Sequence, residues 1–551
     1  MSNTVAEHLV DALEELGVSI VFGLPGVHNL SLWDALRNSQ IRLIGVRHEQ
    51  TAVYAADGHA RTSGELGVAI TTTGPGAANA ITATGEAWTC GSPVLVIATD
   101  IPSTLRSPGK YRGVLHETRD QASMFETVVK GTFVAGDPSA VAATLHRAAA
   151  TALSGPTGPT YLEVPTDFFD IETEEAARPV PLAVPPIADD AEVARAAELL
   201  AAAERPIVWV GRGANAARAE VEEVAYRLGA PVIETYGARG LVSPEFPGRL
   251  GYPPHIQEVG DLWDEADAVL GVGTDFDAGM TQAWMMPRPA SVVSINLLAS
   301  EAEDGYDPDV VLVGDAAPTL RQLGAALPEA TGENGAQAEV AAVRTAARTR
   351  LESEDPDPMG LMRDLEASVP ADTSIAVDMC VAGYWLAAIR TFAEPRRFAF
   401  PIGWGTLGFG FPASIGIAIS QQEPTLCICG DGGFLFAAGE LAVLAETQPP
   451  LTVLLLDDGG YGMLRYDQQS EGRETFGVDL ATPDYVALTE SFGVQAERVA
   501  DLGEPLRKAL RRGLDERGPR LLVLEKALTP PETTSPRWYR KKRKLEVTAA
   551  P

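Results

Sequence analysis

Leu426-Cys-Ile-Cys-Gly-Asp-Gly-Gly-Phe434 and Leu451-Thr-Val-Leu-Leu-Leu-Asp-Asp-Gly-Gly-Tyr-Gly-Met463 are the two stretches whose reading decides the fold. Each begins as a short apolar run, the pattern of a strand buried on both faces, and stops at a Gly/Asp-rich turn. In an open parallel sheet ligands lie outside the carboxyl ends of the strands, so two such turns on neighbouring strands can face one ligand. Asp431 and Asp458 offer hard oxygen ligands there, and the glycines let backbone N–H and C=O groups approach closely. Carboxylates, a free carbonyl and phosphate oxygens together make the octahedral oxygen set that Mg2+ prefers. A lone Gly-Asp-Gly is a routine turn; the information lies in the pair.

The same alternation of apolar strands and helical stretches runs through most of the 551 residues, a length that calls for several domains. In residues 1–170 a helical stretch from Val5 to Leu16 precedes buried strands at Ser19 to Gly23, Val68 to Thr72, Val94 to Ala98 and Pro159 to Pro165. Residues 171–189, charged and proline-rich, read as an extended linker. A second unit spans 190–330, with strands at Ile207 to Val210, Val232 to Ile233, Ala268 to Val272, Val292 to Ile295 and Val310 to Val313. Residues 331–354, rich in Ala, Glu and Arg at helical spacing, read as a connecting helix outside any core. The third unit, 355–530, holds strands at Ser374 to Val377, Thr425 to Cys429, Thr452 to Leu456 and Leu521 to Leu524, and 531–551 is a tail. The expected fold class is α/β, three consecutive domains with mostly parallel sheets flanked by helices.

Composition sets the outer limits. Hydrophobic residues make up 45% and charged residues 21%, so each domain can bury a core. With 43 Lys+Arg against 75 Asp+Glu, the formal charge of −32 repels nucleic acid and anionic lipid, and neither is expected as a partner. There is no apolar run long enough to span a membrane, and the start lacks the basic and apolar segments of a signal peptide, so a cytoplasmic protein is expected. The four cysteines (Cys90, Cys380, Cys427, Cys429) are too scattered for a disulfide framework or a four-ligand zinc site. Cys427 and Cys429, two apart on one strand, read as small core residues. An anionic ligand must therefore find its positive charge locally, from a metal ion and helix N-termini.

Gly430-Asp-Gly432, followed after 24 residues by Asp457-Asp458, closely resembles the thiamine-diphosphate signature, whose usual form ends in Asn-Asn or Asn-Asp. Val21-Phe-Gly-Leu-Pro-Gly26, Arg47-His-Glu-Gln-Thr-Ala-Val-Tyr-Ala-Ala-Asp-Gly-His-Ala-Arg61 and Thr72-Thr-Gly-Pro-Gly-Ala-Ala-Asn79 resemble the pyrimidine-binding domain of the acetolactate synthase and pyruvate decarboxylase group. The likeness covers essentially the whole chain in the same domain order: pyrimidine-binding, central, then diphosphate-binding. It implies thiamine diphosphate and Mg2+ as cofactors, with Asp431, Asp458 and the Gly460 carbonyl as metal ligands. Gly432, Gly433, Tyr461, Gly462 and Met463 complete the cofactor-binding turns by the same carry-over. Asp457 departs from the usual Asn, which alters the hydrogen bonding around the ligands but leaves the metal in place.

Glu49 stands at the position of the family's glutamate that hydrogen-bonds N1′ of the aminopyrimidine. A carboxyl group shielded from water can share its proton with the ring, which favours the 4′-imino form that deprotonates C2. Pro401-Ile-Gly-Trp-Gly-Thr-Leu-Gly-Phe-Gly-Phe-Pro412 matches the segment that holds the cofactor bent. By position Leu407 is the apolar wedge between the rings, and the Gly405 carbonyl accepts from the 4′-amino group. In this family the two domains that share one cofactor come from different subunits, which implies at least a homodimer and favours a tetramer.

The implied substrate is a small 2-oxo acid that loses CO2 to leave an enamine. His28, in Pro25-Gly-Val-His-Asn29, and His116 and Gln121, in Arg112-Gly-Val-Leu-His-Glu-Thr-Arg-Asp-Gln121, join Glu49 as candidate catalytic residues. Leu464 replaces the acid that simple pyruvate decarboxylases carry after the second signature, and Tyr461-Gly-Met-Leu-Arg465 is similar to carboligases. Acetolactate synthase-like carboligation is thus the expected outcome. Against it, Gly-Val-His-Asn and Arg-Gly-Val-Leu-His-Glu resemble the guanidino-oxopentanoate decarboxylase branch, and the alternative is a non-ligating decarboxylase of a basic 2-oxo acid, with Glu117 and Asp120 near the mouth. Gly211-Arg-Gly213 is only a fragment of a dinucleotide fingerprint, so a structural central domain is favoured over one that binds FAD. The basic end Arg537-Trp-Tyr-Arg-Lys-Lys-Arg-Lys544 reads as a solvated tail, with Trp538 and Tyr539 as lid candidates.

Overall fold

The computed structural model describes residues 3–107, 109–174, 178–303, 305–329 and 335–534. The basic run and the aromatic pair Trp538 and Tyr539 lie outside the described residues. Three parallel sheets follow one another along the chain, as the apolar runs predict. The first holds Ile20–Gly23, Arg42–Gly45, Gly67–Thr71, Val94–Asp100, Thr132–Val134 and Thr160–Pro165, arranged in space as second, first, third, fourth, sixth, fifth. The last holds Ser374–Val377, Phe398–Ala399, Thr425–Gly430, Leu451–Asp457, Gln495–Val499 and Arg520–Glu525, in that same spatial order. Between them Pro206–Val210, Val232–Glu234, Ala268–Val272, Ser291–Asn296 and Val310–Val313 form a sheet ordered second, first, third, fourth, fifth. In every sheet the strand order reverses between the first and third strands, which opens a crevice at their carboxyl ends.

The central strands are buried on both faces because helices cover both sides, which is why their sequences read as continuous apolar runs. Two of those helices join the first and last domains. Glu49–Ser63 starts at His48, whose ring Nδ1 accepts from the Gln50 amide at 3.1 Å, and ends at the left-handed Gly64. It crosses Gly410–Gln421 at backbone contact: a Cβ on Gly58 would lie 2.3 Å from the Ala413 carbonyl oxygen, and one on Gly416 2.0 Å from that of Ala55. The two glycines, one on each helix, permit this approach.

The stretch expected to be a connecting helix outside any core does form a helix, Gly335–Glu354, but it packs inward. Val340, Ala347 and Leu351 are fully buried in a core shared with the central and last domains. Arg350 then pairs with Glu258 of the central domain and Glu532 beyond the last strand. The apolar stripe is one residue wide, and the surrounding Ala, Arg and Glu conceal it in the sequence. Cys427 and Cys429 are free thiols in the core. Among the described residues no helix is long and apolar enough to cross a membrane.

Candidate active site

In the last domain, three carboxylates stand at the ends of three adjacent strands: Asp378 after Ser374–Val377, Asp431 after Thr425–Gly430, and Asp458 after Leu451–Asp457. Glycines bring the two signature turns together. A Cβ on Gly432 would lie 2.8 Å from the Tyr461 ring and 3.3 Å from the Gly460 carbonyl oxygen; one on Gly462 would lie 2.0 Å from the Asp458 carboxylate. Asp431 Oδ2 and Asp458 Oδ1 are buried with no hydrogen-bond partner. Burial, reinforced by the charge of Asp458, pushes the Asp431 carboxyl up to about 7. Burial raises Asp458 as well, opposed by Arg465, whose Nη1 is 3.8 Å away. Two buried carboxylate oxygens without donors form a site that calls for a cation, and oxygen ligands of this type suit Mg2+. Asp457 turns aside, its Oδ1 accepting from the Gly459 amide at 3.2 Å. Tyr461, Gly462 and Met463 lie half-buried at the start of helix Gly462–Ser470, and Leu464 beside them is 50% exposed.

The first domain gathers its polar groups at the corresponding crevice. His28 follows the first strand and Thr73 the third, and His28 Nδ1 lies 2.8 Å from Thr73 Oγ1, itself 2.8 Å from Thr99 Oγ1 on the fourth strand. The His116 ring meets the His28 ring edge-on, with centroids 5.3 Å apart. Burial, then the neighbouring His116, lowers the His28 pKa below its usual 6.5. His116 sits at φ 65°, and its carbonyl oxygen would be 2.5 Å from a Cβ on Gly74, so the glycine admits the histidine loop.

Gln121 lies beneath this pair, fully buried. Its Oε1 accepts from the Gly74 amide at 2.6 Å, and its Nε2 faces the Thr99 carbonyl, the Tyr161 hydroxyl and Glu163 within 3.0 Å. That amide is engaged by protein on every side, which suits holding Gly74 in place. Glu117 and Asp120 are likewise committed to their own loop: Glu117 accepts from the Arg112 and Val114 amides, and Asp120 from that of Ser123.

Glu49 opens its helix at 6% exposure. Its Oε2 accepts from Asn79 Nδ2 at 3.0 Å, and its Oε1 faces Gly76, where a Cβ would lie 3.2 Å away. The Thr72–Asn79 motif is thus wrapped around the Glu49 carboxylate. The Pro401–Pro412 segment places Gly405 at φ 65°, with Leu407 partly exposed beside it. Among the residues that touch that segment are Glu86 and Asp378, which the motifs in the sequence do not mark. The available signal was an acid in an otherwise apolar helix turn and an acid directly after a buried strand.

Comparison with known proteins matches three family models in order: the N-terminal TPP binding domain of thiamine pyrophosphate enzymes over residues 3–124, their central domain over 193–323, and their C-terminal TPP binding domain over 378–524. A probable 2-ketoarginine decarboxylase, AruI, of Pseudomonas aeruginosa is 35% identical over 95% of this chain and 94% of its own. The chain belongs to the thiamine pyrophosphate enzyme family. Other members similar to it include a probable acetolactate synthase large subunit of Methanocaldococcus jannaschii, 30% identical over 92% of this chain and 89% of its own, and an acetolactate synthase of Bacillus subtilis, 28% identical over 94% and 92%. As a thiamine pyrophosphate enzyme of this type, the protein is a cofactor-dependent 2-oxo acid decarboxylase or carboligase.

Proposed function

We propose that this enzyme decarboxylates a basic 2-oxo acid of the 5-guanidino-2-oxopentanoate class and delivers a proton to the carbon that loses CO2. The observation that carries this reading is the His28–His116 pair, two imidazoles 5.3 Å apart at the crevice of the first sheet. Burial, then the neighbouring His116, lowers the His28 pKa, and Thr73 Oγ1 lies against its Nδ1, so the ring can accept a proton and hand it on. The relative named for 2-ketoarginine supports the substrate class, and a chain of formal charge −32 favours the approach of a cationic substrate.

Thiamine diphosphate, when bound, supplies the carbon that attacks the keto group and takes up the electron pair left as CO2 departs. Asp431, Asp458 and the Gly460 carbonyl would hold Mg2+ against its diphosphate, and the unpaired oxygens of the two aspartates fit that role. Gly432, Gly433, Tyr461, Gly462 and Met463 form the wall of the same turns. Glu49, oriented by Asn79 and shielded from water, holds and returns a proton at N1′. The Gly405 carbonyl and the Leu407 side chain would orient the cofactor's rings, and Gln121 supports the His116 loop through Gly74.

A homodimer brings Glu49 of one subunit to the diphosphate domain of the other. Trp88, Ile402, Trp404, Leu435 and Phe436 are exposed apolar residues on the first and last domains, and such a patch suits a subunit interface. The central domain acts as a spacer: the turns after its first and third strands pack backbone against backbone, and a Cβ on Gly211 would lie 2.2 Å from the Gly273 carbonyl oxygen. That crowding disfavours FAD.

A second reading is carboligation of the acetolactate synthase kind. Leu464, apolar and half exposed beside Met463, favours it, because a water-excluding side chain there spares the activated carbon for a second carbonyl. Product analysis separates the two. With thiamine diphosphate and Mg2+, the first reading gives 4-guanidinobutanal from the guanidino acid and little acetolactate from pyruvate; acetolactate as the main product establishes the second.

A further inference from the structure

The segment that carries Gly405 and Leu407 is gripped at two points by fully buried carboxylates from two different domains. Glu86, on helix Pro75–Thr89 of the first domain, accepts through Oε2 from the Trp404 amide at 3.2 Å and from Thr406 Oγ1 at 3.3 Å. Asp378, in the last domain, accepts from the Gly408 amide at 3.0 and 3.1 Å and from the Gly410 amide at 3.3 Å. Residues 405 and 407 lie between these anchors, so each grip sits one residue from a group proposed to touch the cofactor.

The anchors are themselves braced. Arg61 forks onto Asp57 at 2.8 and 2.6 Å, reaches Glu86 Oε1 at 3.4 Å and donates to the Phe400 carbonyl at 2.8 Å, where the segment begins. Tyr54, whose hydroxyl accepts from Gln50 Nε2 at 3.0 Å, packs edge-on against Phe409. Gly408, at φ 78°, allows the turn between the two grips, and a Cβ on Gly433 would meet the Asp378 carboxylate at 3.0 Å. Asp378 therefore touches both the wedge segment and the turn that follows Asp431.

We propose that Glu86 and Asp378 are positioning residues that fix the height of the wedge segment, and with it the bend of the bound cofactor. This rests on the proposed roles of Gly405 and Leu407. A carboxylate is suited to the task because it accepts two donors from neighbouring residues at once, while the isosteric amide turns an N–H2 group toward a backbone N–H. A misplacement of about 1 Å between reacting groups can slow a proximity-driven step by about a hundredfold.

Deuterium exchange at C2 of the bound cofactor, read by proton NMR after acid quench, reports that proximity without any substrate. In cofactor-loaded protein, Glu86→Gln and Asp378→Asn are expected to slow exchange by about tenfold, and Thr406→Val by about fivefold, with calorimetric affinity for thiamine diphosphate changed by less than about threefold. A role confined to stability moves the melting temperature and leaves the exchange rate per bound cofactor at the wild-type value; that result overturns the proposal. Thr406→Val keeps both buried carboxylates, so it decides the matter alone if the other two variants do not fold. Leu407→Ala tells the two layers apart. If it slows exchange while the carboxylate variants do not, the clamp is wrong and the wedge stands; if it exchanges at the wild-type rate, the wedge falls and the clamp with it.

Discussion

The first and last sheets have the same six-strand order, yet their crevices are furnished for different chemistry. At the point where strand order reverses, the first domain places His28 against Thr73, and the last places Asp378 beside the Asp431 turn. The first set offers imidazoles and hydroxyls in contact; the second is acidic, with one oxygen of Asp431 and one of Asp458 lacking a hydrogen-bond donor. The central sheet reverses at the same point, but there the two turns meet backbone to backbone, Gly213 donating its amide to the Gly273 carbonyl at 3.0 Å. One topology thus supplies three crevices, and the residues after the first and third strands decide what each presents: imidazole and hydroxyl, carboxylates, or glycine backbone.

That contrast can be broken from either side. Removing the cation site has the largest expected effect: Asp458→Ala should lower kcat/KM by about a thousandfold or more and abolish the Mg2+ dependence of thiamine diphosphate binding, measured by calorimetry with and without the metal. Removing the proton-handling acid comes next. Glu49→Gln should cost about a hundredfold to a thousandfold in kcat while cofactor binding persists, because metal and diphosphate contacts are untouched. Wild-type kcat in that variant would erase the proposed division of labour.

The backbone contact between the central turns predicts a change in stability alone. Gly273 has φ 57°, and a Cβ there would lie 2.5 Å from the Gly213 carbonyl carbon. Gly273→Ala should destabilise the protein by about 1–3 kcal/mol in denaturant titration, with kcat per folded enzyme unchanged.

The smallest effect tests the contact between the outer domains. Glu440 accepts from the Arg47 amide at 3.1 Å, just before the helix that carries Glu49, and burial pushes its carboxyl up to about 7. A carboxyl whose folded value is raised contributes stability below its unfolded value near 4.5, and that contribution is lost as pH rises through about 7. The melting temperature of Glu440→Gln relative to wild type should therefore rise between about pH 5 and pH 8, as scanning calorimetry at each pH would show. A difference independent of pH would mean that Glu440 is not buried as a carboxyl of raised pKa.

Much of this architecture could be read from local patterns. Strands such as Thr425–Gly430 and Leu451–Asp457 declare themselves because a parallel strand covered on both faces must be apolar throughout. The helix Gly335–Glu354 was harder: Val340, Ala347 and Leu351 occupy one narrow stripe, and only the helices packed against it show that the stripe is buried. Glu86 and Asp378 were missed for a related reason. Glu86 reads as a solvated helix face until Trp404 and Thr406 arrive from more than three hundred residues away, and Asp378 as a strand-end acid until Gly408 folds back onto it from 30 residues on.

By itself the sequence determined the three parallel α/β units, the family, and which residue types stand at the strand ends, because strand periodicity and glycine spacing are local properties written in consecutive residues. Only the tertiary structure decided which of those residues meet. It set His116 edge-on to His28, turned Asp457 away while leaving one oxygen each of Asp431 and Asp458 without a hydrogen-bond donor, committed Glu117 and Asp120 to their own loop, and packed the central turns backbone to backbone. The reason is physical: proton affinity, cation binding and room for a ligand depend on burial and on groups brought together by folding, and no spacing along the chain records either.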